Sequence, residues 1–292
     1  MKLFVRTNKF IGLLLLLFIL VAVNCSPKKS PTKSKIRIVS LVPSATEIIY
    51  ALGQESLLVG NTIYCDFPDG AKNIYKVGDF SNPSLERILY RKPTLVIATL
   101  PEQKLIVEEL KKHNIPIYIS RPKSVDSIFA EILRIGTLTG ASGRAESLVA
   151  TLKTRLREIV MKNPNLIDSP RVYIEISGNP LMSVGNLSYL NEIISLAGGK
   201  NIFSDIDREY FIVSPEEIIV RNPDIIIALY PQISKSAIKR RLGWDKITAI
   251  QRNQIYTELN PDYFFRPGPR FIYAVEDLAN IIYNVWTKKP RP

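Results

Sequence analysis

The chain has 292 residues, with 39 Lys and Arg against 27 Asp and Glu, one His and two Cys. Residues 1–35 carry seven of the basic residues and no acidic one, so the formal charge of +12 falls to +5 over the rest, where bases and acids intermingle without a basic stripe; this excludes a nucleic-acid footprint. A single His, no Gly-x-Ser-x-Gly elbow and no paired Cys motif leave no catalytic residue and no metal ligand to assign, so the chain reads as a binding protein rather than an enzyme.

In chain order, Lys2, Arg6 and Lys9 precede an uncharged run over residues 10–23, and Cys25 follows at once. Basic residues ahead of an apolar core too short to span a bilayer predict an export signal over residues 1–25. Residues 26–35, rich in Pro, Ser and Lys, read as a tether, and Cys25 at the junction resembles the acylated cysteine of a bacterial lipoprotein. Cys65 is then the only other thiol, so the fold does not rest on disulfides.

A strand over 36–41 leads into Pro43 and Ser44, where Ser44 and Glu47 match a capping box, and a helix runs to Gly53 before a strand over 57–60. Strands over 95–98 and 116–119 alternate with a helix over 101–113, which predicts a mainly parallel sheet with ligands at the strand ends: Pro43 and Ser44, residues 99–102, and the loop 64–69. A helix over 124–139 ends at Gly140. From Ser142 to Lys162, Ala145, Leu148, Val149, Leu152, Leu156, Ile159 and Val160 form a 3.6-period stripe. That helix is roughly 30 Å long, enough to bridge two domains. Asn163, Pro164 and Asn165 stop it.

The half of the chain beyond this helix repeats the pattern of the half before it. Residues 82–98 read Asn-Pro-Ser-Leu-Glu86, then Lys92-Pro93 and an apolar run; residues 213–228 read Val-Ser-Pro-Glu216, then Asn222-Pro223 and an apolar run. Each segment predicts a capped short helix, a proline turn and a buried strand. Strands are further expected over 172–177, 224–229 and 254–259, and helices over 186–196, 244–250 and 269–286. The fold expected is therefore α/β: two Rossmann-like lobes over 36–141 and 164–287, with mainly parallel sheets, joined by one spanning helix over 142–163. Aromatic residues crowd the segments between elements: Tyr64 and Phe67, Phe80, Tyr210 and Phe211, and residues 263–265, beside Asp262 and Arg266. Such a set suits a large flat ligand with apolar faces and a polar rim.

Residues 36–283 resemble the helical-backbone (class III) substrate-binding proteins of bacterial ABC importers, and within them the vitamin B12-binding branch. The residues that carry this include Ser40, Leu41, Pro43, Ser44, Thr46 and Glu47; Tyr64, Cys65, Asp66, Phe67 and Pro68; Lys92 and Pro93; and Arg266, Pro267, Gly268, Pro269 and Arg270. The resemblance implies a monomeric exported receptor, periplasmic or at the cell surface. It would hold a corrinoid in the cleft between the lobes and deliver it to an ABC permease dimer with its ATPase subunits, with no cofactor of its own. It implies ligand contact by Tyr64, Phe80, Met182, Tyr210, Asp262 and Arg266; the branch carries tryptophan at the positions of Phe80 and Tyr210 and phenylalanine at that of Met182, which leaves a ferric siderophore or haem as alternative ligands. A non-transport surface lipoprotein or adhesin is the alternative of another class. The resemblance also implies that Glu86 and Glu216, one per lobe, dock on the permease.

Overall fold

The structure, a computed structural model, describes residues 36–162 and 169–287. The export signal, the tether, Cys25 and the break at Asn163, Pro164 and Asn165 lie outside the described residues. In chain order the elements are β1 (Ile38–Ser40), α1 (Pro43–Ala51), β2 (Leu58–Asn61), α2 (Asp69–Lys72), α3 (Leu85–Tyr90), β3 (Leu95–Ala98), α4 (Lys104–Lys112), β4 (Ile117–Ile119), α5 (Val125–Thr139) and α6 (Ser142–Lys162). Then come β5 (Arg171–Glu175), β6 (Ser177–Gly178), β7 (Leu181–Val184), α7 (Tyr189–Leu196), β8 (Lys200–Asn201), β9 (Tyr210–Ile212), α8 (Pro215–Arg221) and β10 (Ile225–Ala228). The chain closes with α9 (Lys235–Lys239), α10 (Thr248–Gln251), β11 (Ile255–Tyr256), α11 (Pro261–Phe265) and α12 (Phe271–Thr287).

The two lobes share one topology. The first sheet runs β2-β1-β3-β4 and the second β8-β5-β10-β11, all parallel, so in each lobe the first strand lies between the second and the third. The repeat reaches single hydrogen bonds. Ser84 and Ser214 cap α3 and α8 by accepting from the Arg87 and Glu217 amides at 3.3 and 3.2 Å. At the far ends of those helices, the guanidinium groups of Arg37 and Arg171 donate to the Arg91 and Arg221 carbonyls at 2.7 and 3.1 Å. Lys92 and Asn222 then take left-handed φ values of 47° and 45° ahead of their prolines, ending each helix.

Alternation along the strands sorts the core. Val39, Val96 and Ala98 face a cluster under α3 and α4, and Tyr173, Ile226 and Ala228 face the matching cluster in the second lobe. The opposite faces, with Ile38, Ile97, Val172, Ile174, Ile225 and Ile227, belong to one cluster that runs through both lobes. α5, α6 and α12 complete it: Ala145, Val149, Leu152 and Ile159 are the buried face of the spine, which packs on α5 and α12. The lobes are thus joined by one helix and by a shared apolar core.

Several expectations need correction. Ser44 and Glu47 do not form a capping box: the N-cap of α1 is Val42, Pro43 takes the first turn without needing an amide, and Ser44 and Glu47 are both buried. β5 stops at Glu175, where a hairpin of β6 and β7 pairs antiparallel and β9 joins it as a third strand. Tyr210 and Phe211 therefore lie in a strand, with Phe211 edge-on to Phe203 at 5.1 Å, and Phe264 is fully buried in α11 rather than in a loop.

Candidate functional site

The C-terminal ends of the strands face each other across a cleft of about 490 Å3. Seven of the eight expected ligand residues line it: Pro43, Ser44, Tyr64, Phe80, Tyr210, Asp262 and Arg266. Met182 does not. It sits in β7 opposite Ser177 and Ile212, two residues beyond the Val184–Tyr210 pair, so it lies on the same face of the small sheet as Tyr210 but farther along the strand. Tyr64 is 53% exposed and its hydroxyl has no hydrogen-bond partner among the described residues.

Each wall has an identifiable support. The loop carrying Tyr64 closes around the Lys76 ammonium, which donates to Asn61 Oδ1 and to the carbonyls of Thr62, Cys65 and Ala71 at 2.9 to 3.2 Å. Burial lowers the Lys76 pKa and raises that of the neighbouring Cys65 thiol. Phe80 is held by the Gln103 side chain, which donates to the Phe80 and Leu41 carbonyls at 2.8 and 3.1 Å and accepts from the Thr99 amide at 2.9 Å.

The floor is a charge network. The Glu47 carboxylate, 2% exposed, accepts from Arg270 Nε at 2.8 Å and Nη2 at 2.5 Å and from Arg266 Nη1 at 3.3 Å. Arg266 also reaches Asp66 at 2.6 Å and Asp262 at 3.1 Å, so its charge is already matched. Burial pushes the Asp66 carboxyl up, but the hydrogen bond and charge of Arg266 outweigh it and hold it below its ordinary value. The Arg270 guanidinium lies over the Phe67 ring at 3.9 Å, so Phe67 covers the network instead of facing a ligand. Gly268 lets this segment press on α1, since a Cβ there would come within 3.3 Å of Ser44.

Glu102, in the expected strand-end turn 99–102, also lines the cleft, as do three charged groups that no local sequence pattern marks, Arg121, Lys123 and Glu209, together with Tyr189. Arg121 and Lys123 reach across from the first lobe to Glu209 of the second, at 2.7 and 3.5 Å. Tyr189 is 6% exposed and its hydroxyl has no partner among the described residues, the kind of buried donor a ligand can satisfy. The pKa of the Tyr210 hydroxyl is raised by burial, against a lowering contact from Ser188, with Glu209 and Glu102 adding to the rise. Among the described residues no three His, Cys, Asp or Glu side chains gather to hold a metal ion, and no helix is long and apolar enough to cross a membrane.

The family model of the periplasmic binding proteins matches residues 38–260. The chain belongs to that family. Its relatives include the uncharacterized ABC transporter substrate-binding lipoprotein YvrC of Bacillus subtilis, 33% identical over 88% of this chain and 81% of that protein. Among solved structures, the vitamin B12-binding protein BtuF of Vibrio cholerae superposes with a TM-score of 0.74 at 30% identity, covering 87% of this chain and 98% of that one. A possible iron-binding protein of Staphylococcus epidermidis gives 0.74 at 31%, over 85% and 98%. The haem-binding protein RhuT of Roseiflexus gives 0.76 at 26%, over 86% and 99%. This periplasmic binding protein is therefore an extracytoplasmic substrate-binding protein of the class III type that serves ABC importers with their permease and ATPase components, and its family binds a transported ligand instead of catalysing a reaction.

Proposed function

We propose that this periplasmic binding protein captures a corrinoid of the vitamin B12 type in its cleft and delivers it to an ABC permease dimer. The observation that carries the reading is the chemistry of the walls: Tyr64, Phe80, Tyr210 and Phe265 are rings facing one cavity, with Asp262 and the Tyr189 hydroxyl beside them. A corrinoid offers an apolar face to rings and peripheral amides to a carboxylate and a hydroxyl. Vitamin B12-binding proteins among the relatives, such as one from Photorhabdus laumondii at 28% identity over 94% of this chain, support the same ligand class.

Glu86 and Glu216 dock on the permease in this reading. Both are exposed, both occupy the second position of equivalent capped helices, and neither has an ion-pair partner among the described residues. Residues 1–25 direct export and Cys25 carries a lipid anchor, with residues 26–35 as tether; Cys25→Ala is expected to release the protein from the membrane fraction, and a variant as firmly bound as wild type would instead make residues 10–23 an uncleaved anchor.

One observation favours a second ligand class: the partnerless, exposed Tyr64 hydroxyl could ligate the iron of haem or of a ferric siderophore. Incubation with cyanocobalamin, haemin or a ferric siderophore, followed by desalting and absorption spectroscopy, separates the readings. A retained corrinoid spectrum is expected. A haem Soret or ferric charge-transfer band alone would assign the second class, and no chromophore would leave a transported ligand of another class.

A further inference from the structure

Three cations line the cleft, and they are not equivalent. Arg266 is 12% exposed and engaged by Glu47, Asp66 and Asp262 at 3.3 Å or less, so its charge is already more than matched. Arg121 and Lys123 are 38% and 54% exposed, and both lean on the one carboxylate of Glu209, 26% exposed, on the other lobe. Two positive charges thus share one negative charge, and that carboxylate is supplied from across the gap a ligand must fill. Glu102 lines the same cavity with no ion-pair partner among the described residues.

We infer that the ligand carries an anionic group, a phosphodiester or a carboxylate, that takes the place of Glu209 between Arg121 and Lys123. This rests on the cleft being the ligand site. A wholly neutral ligand would strip water from the triad while leaving its surplus charge uncompensated, which opposes binding. An anion instead gives each cation a partner. Exposed ion pairs shift equilibria by about fivefold or less, so the Glu209 contact is readily exchanged, and the charge-assisted bonds that replace it become stronger once the ligand excludes water. Arg121 and Lys123 thereby select among otherwise similar flat ligands, and Glu209 competes with the ligand for them.

The test compares pairs of compounds that differ at the anion: cyanocobalamin against dicyanocobinamide, which lacks the phosphodiester and its base, and haemin against its dimethyl ester, which lacks free carboxylates. Titrations use the wild type, Arg121→Gln with Lys123→Gln, and Glu209→Gln, with melting curves to verify folding. The wild type is expected to prefer the anionic member of whichever pair it binds by about tenfold or more, and the double variant to lose that preference while still binding. Glu209→Gln should bind the anionic member several-fold more tightly. The corrinoid arm points to a phosphodiester and the haem arm to a carboxylate. Equal affinity within the bound pair, or a preference surviving in the double variant, would overturn the exchange while leaving the ligand class intact. Failure to bind either pair would overturn the ligand class, and the exchange with it.

Discussion

Glu47 offers the sharpest perturbation, because it is a buried carboxylate, the one charged side chain of α1, and its partners stand more than 200 residues away. In Glu47→Ala, Arg270 loses a two-bond contact at 2.5 and 2.8 Å and retains Asp262 at 3.6 Å and the Phe67 and Tyr263 rings, while Arg266 keeps Asp66 and Asp262. Removing one partner of a buried pair leaves an uncompensated charge and costs about 3–5 kcal/mol. At a few degrees per kcal/mol for a chain of this size, the melting temperature should fall by roughly 10 °C. Glu47→Gln keeps the shape and some hydrogen bonding, and about 1.5–3 kcal/mol should be lost. Denaturant unfolding of both variants, and of Glu47→Ala combined with Arg270→Ala, measures this. The double variant should be less destabilised than the sum of the singles, since it no longer buries a lone guanidinium. A loss below about 1 kcal/mol in Glu47→Ala would refute the claim that this network locks α1 to the segment bearing Asp262 and Arg266.

The same geometry carries other expected outcomes. Burial raises the Glu131 pKa against the opposing contacts of Ser120 and Tyr118, so folding stability falls as pH rises from the ordinary carboxylate range through the raised value. Glu131→Gln removes that loss; it should match wild type at acid pH, below the ordinary carboxylate value, and exceed it at neutral pH, as melting curves across pH would verify. Because α6 and the shared core tie the lobes, scattering profiles with and without ligand should nearly superimpose, and a large compaction would contradict the rigid spine. Paired reversals Glu86→Lys and Glu216→Lys should abolish ligand-stimulated ATPase activity of the reconstituted transporter with ligand affinity unchanged; normal stimulation would return both residues to a helix-dipole role of about 0.3–1 kcal/mol.

Local patterns were legible from the sequence, and long-range partners were not. The stripe from Ala145 to Ile159 announced α6, described over Ser142–Lys162, because a 3.6 period is written in neighbouring residues. The pairing of residues 82–98 with 213–228 announced the twofold topology for the same reason. The hairpin of β6 and β7 escaped, since strands of two and four residues carry too little alternation to detect. At Ser44 a short motif pointed one way and tertiary burial decided the other: Pro43 sets the helix start, and Glu47 is drawn to Arg270 rather than to its own backbone. The isolated charge between Thr46 and Ile48 was the available signal. Arg121 and Glu209 lie 88 residues apart on different lobes, and nothing local to either marks the contact.

The most direct measurement is a calorimetric titration of cyanocobalamin into the wild type and into Tyr64→Ala and Asp262→Ala. The account predicts saturable one-to-one binding by the wild type, and affinity lowered by about 1–3 kcal/mol in each variant, from a lost stacking face in one and an unpaired amide in the other. A wild type that releases no binding heat and retains no corrinoid, or variants whose affinity equals that of wild type, would contradict it.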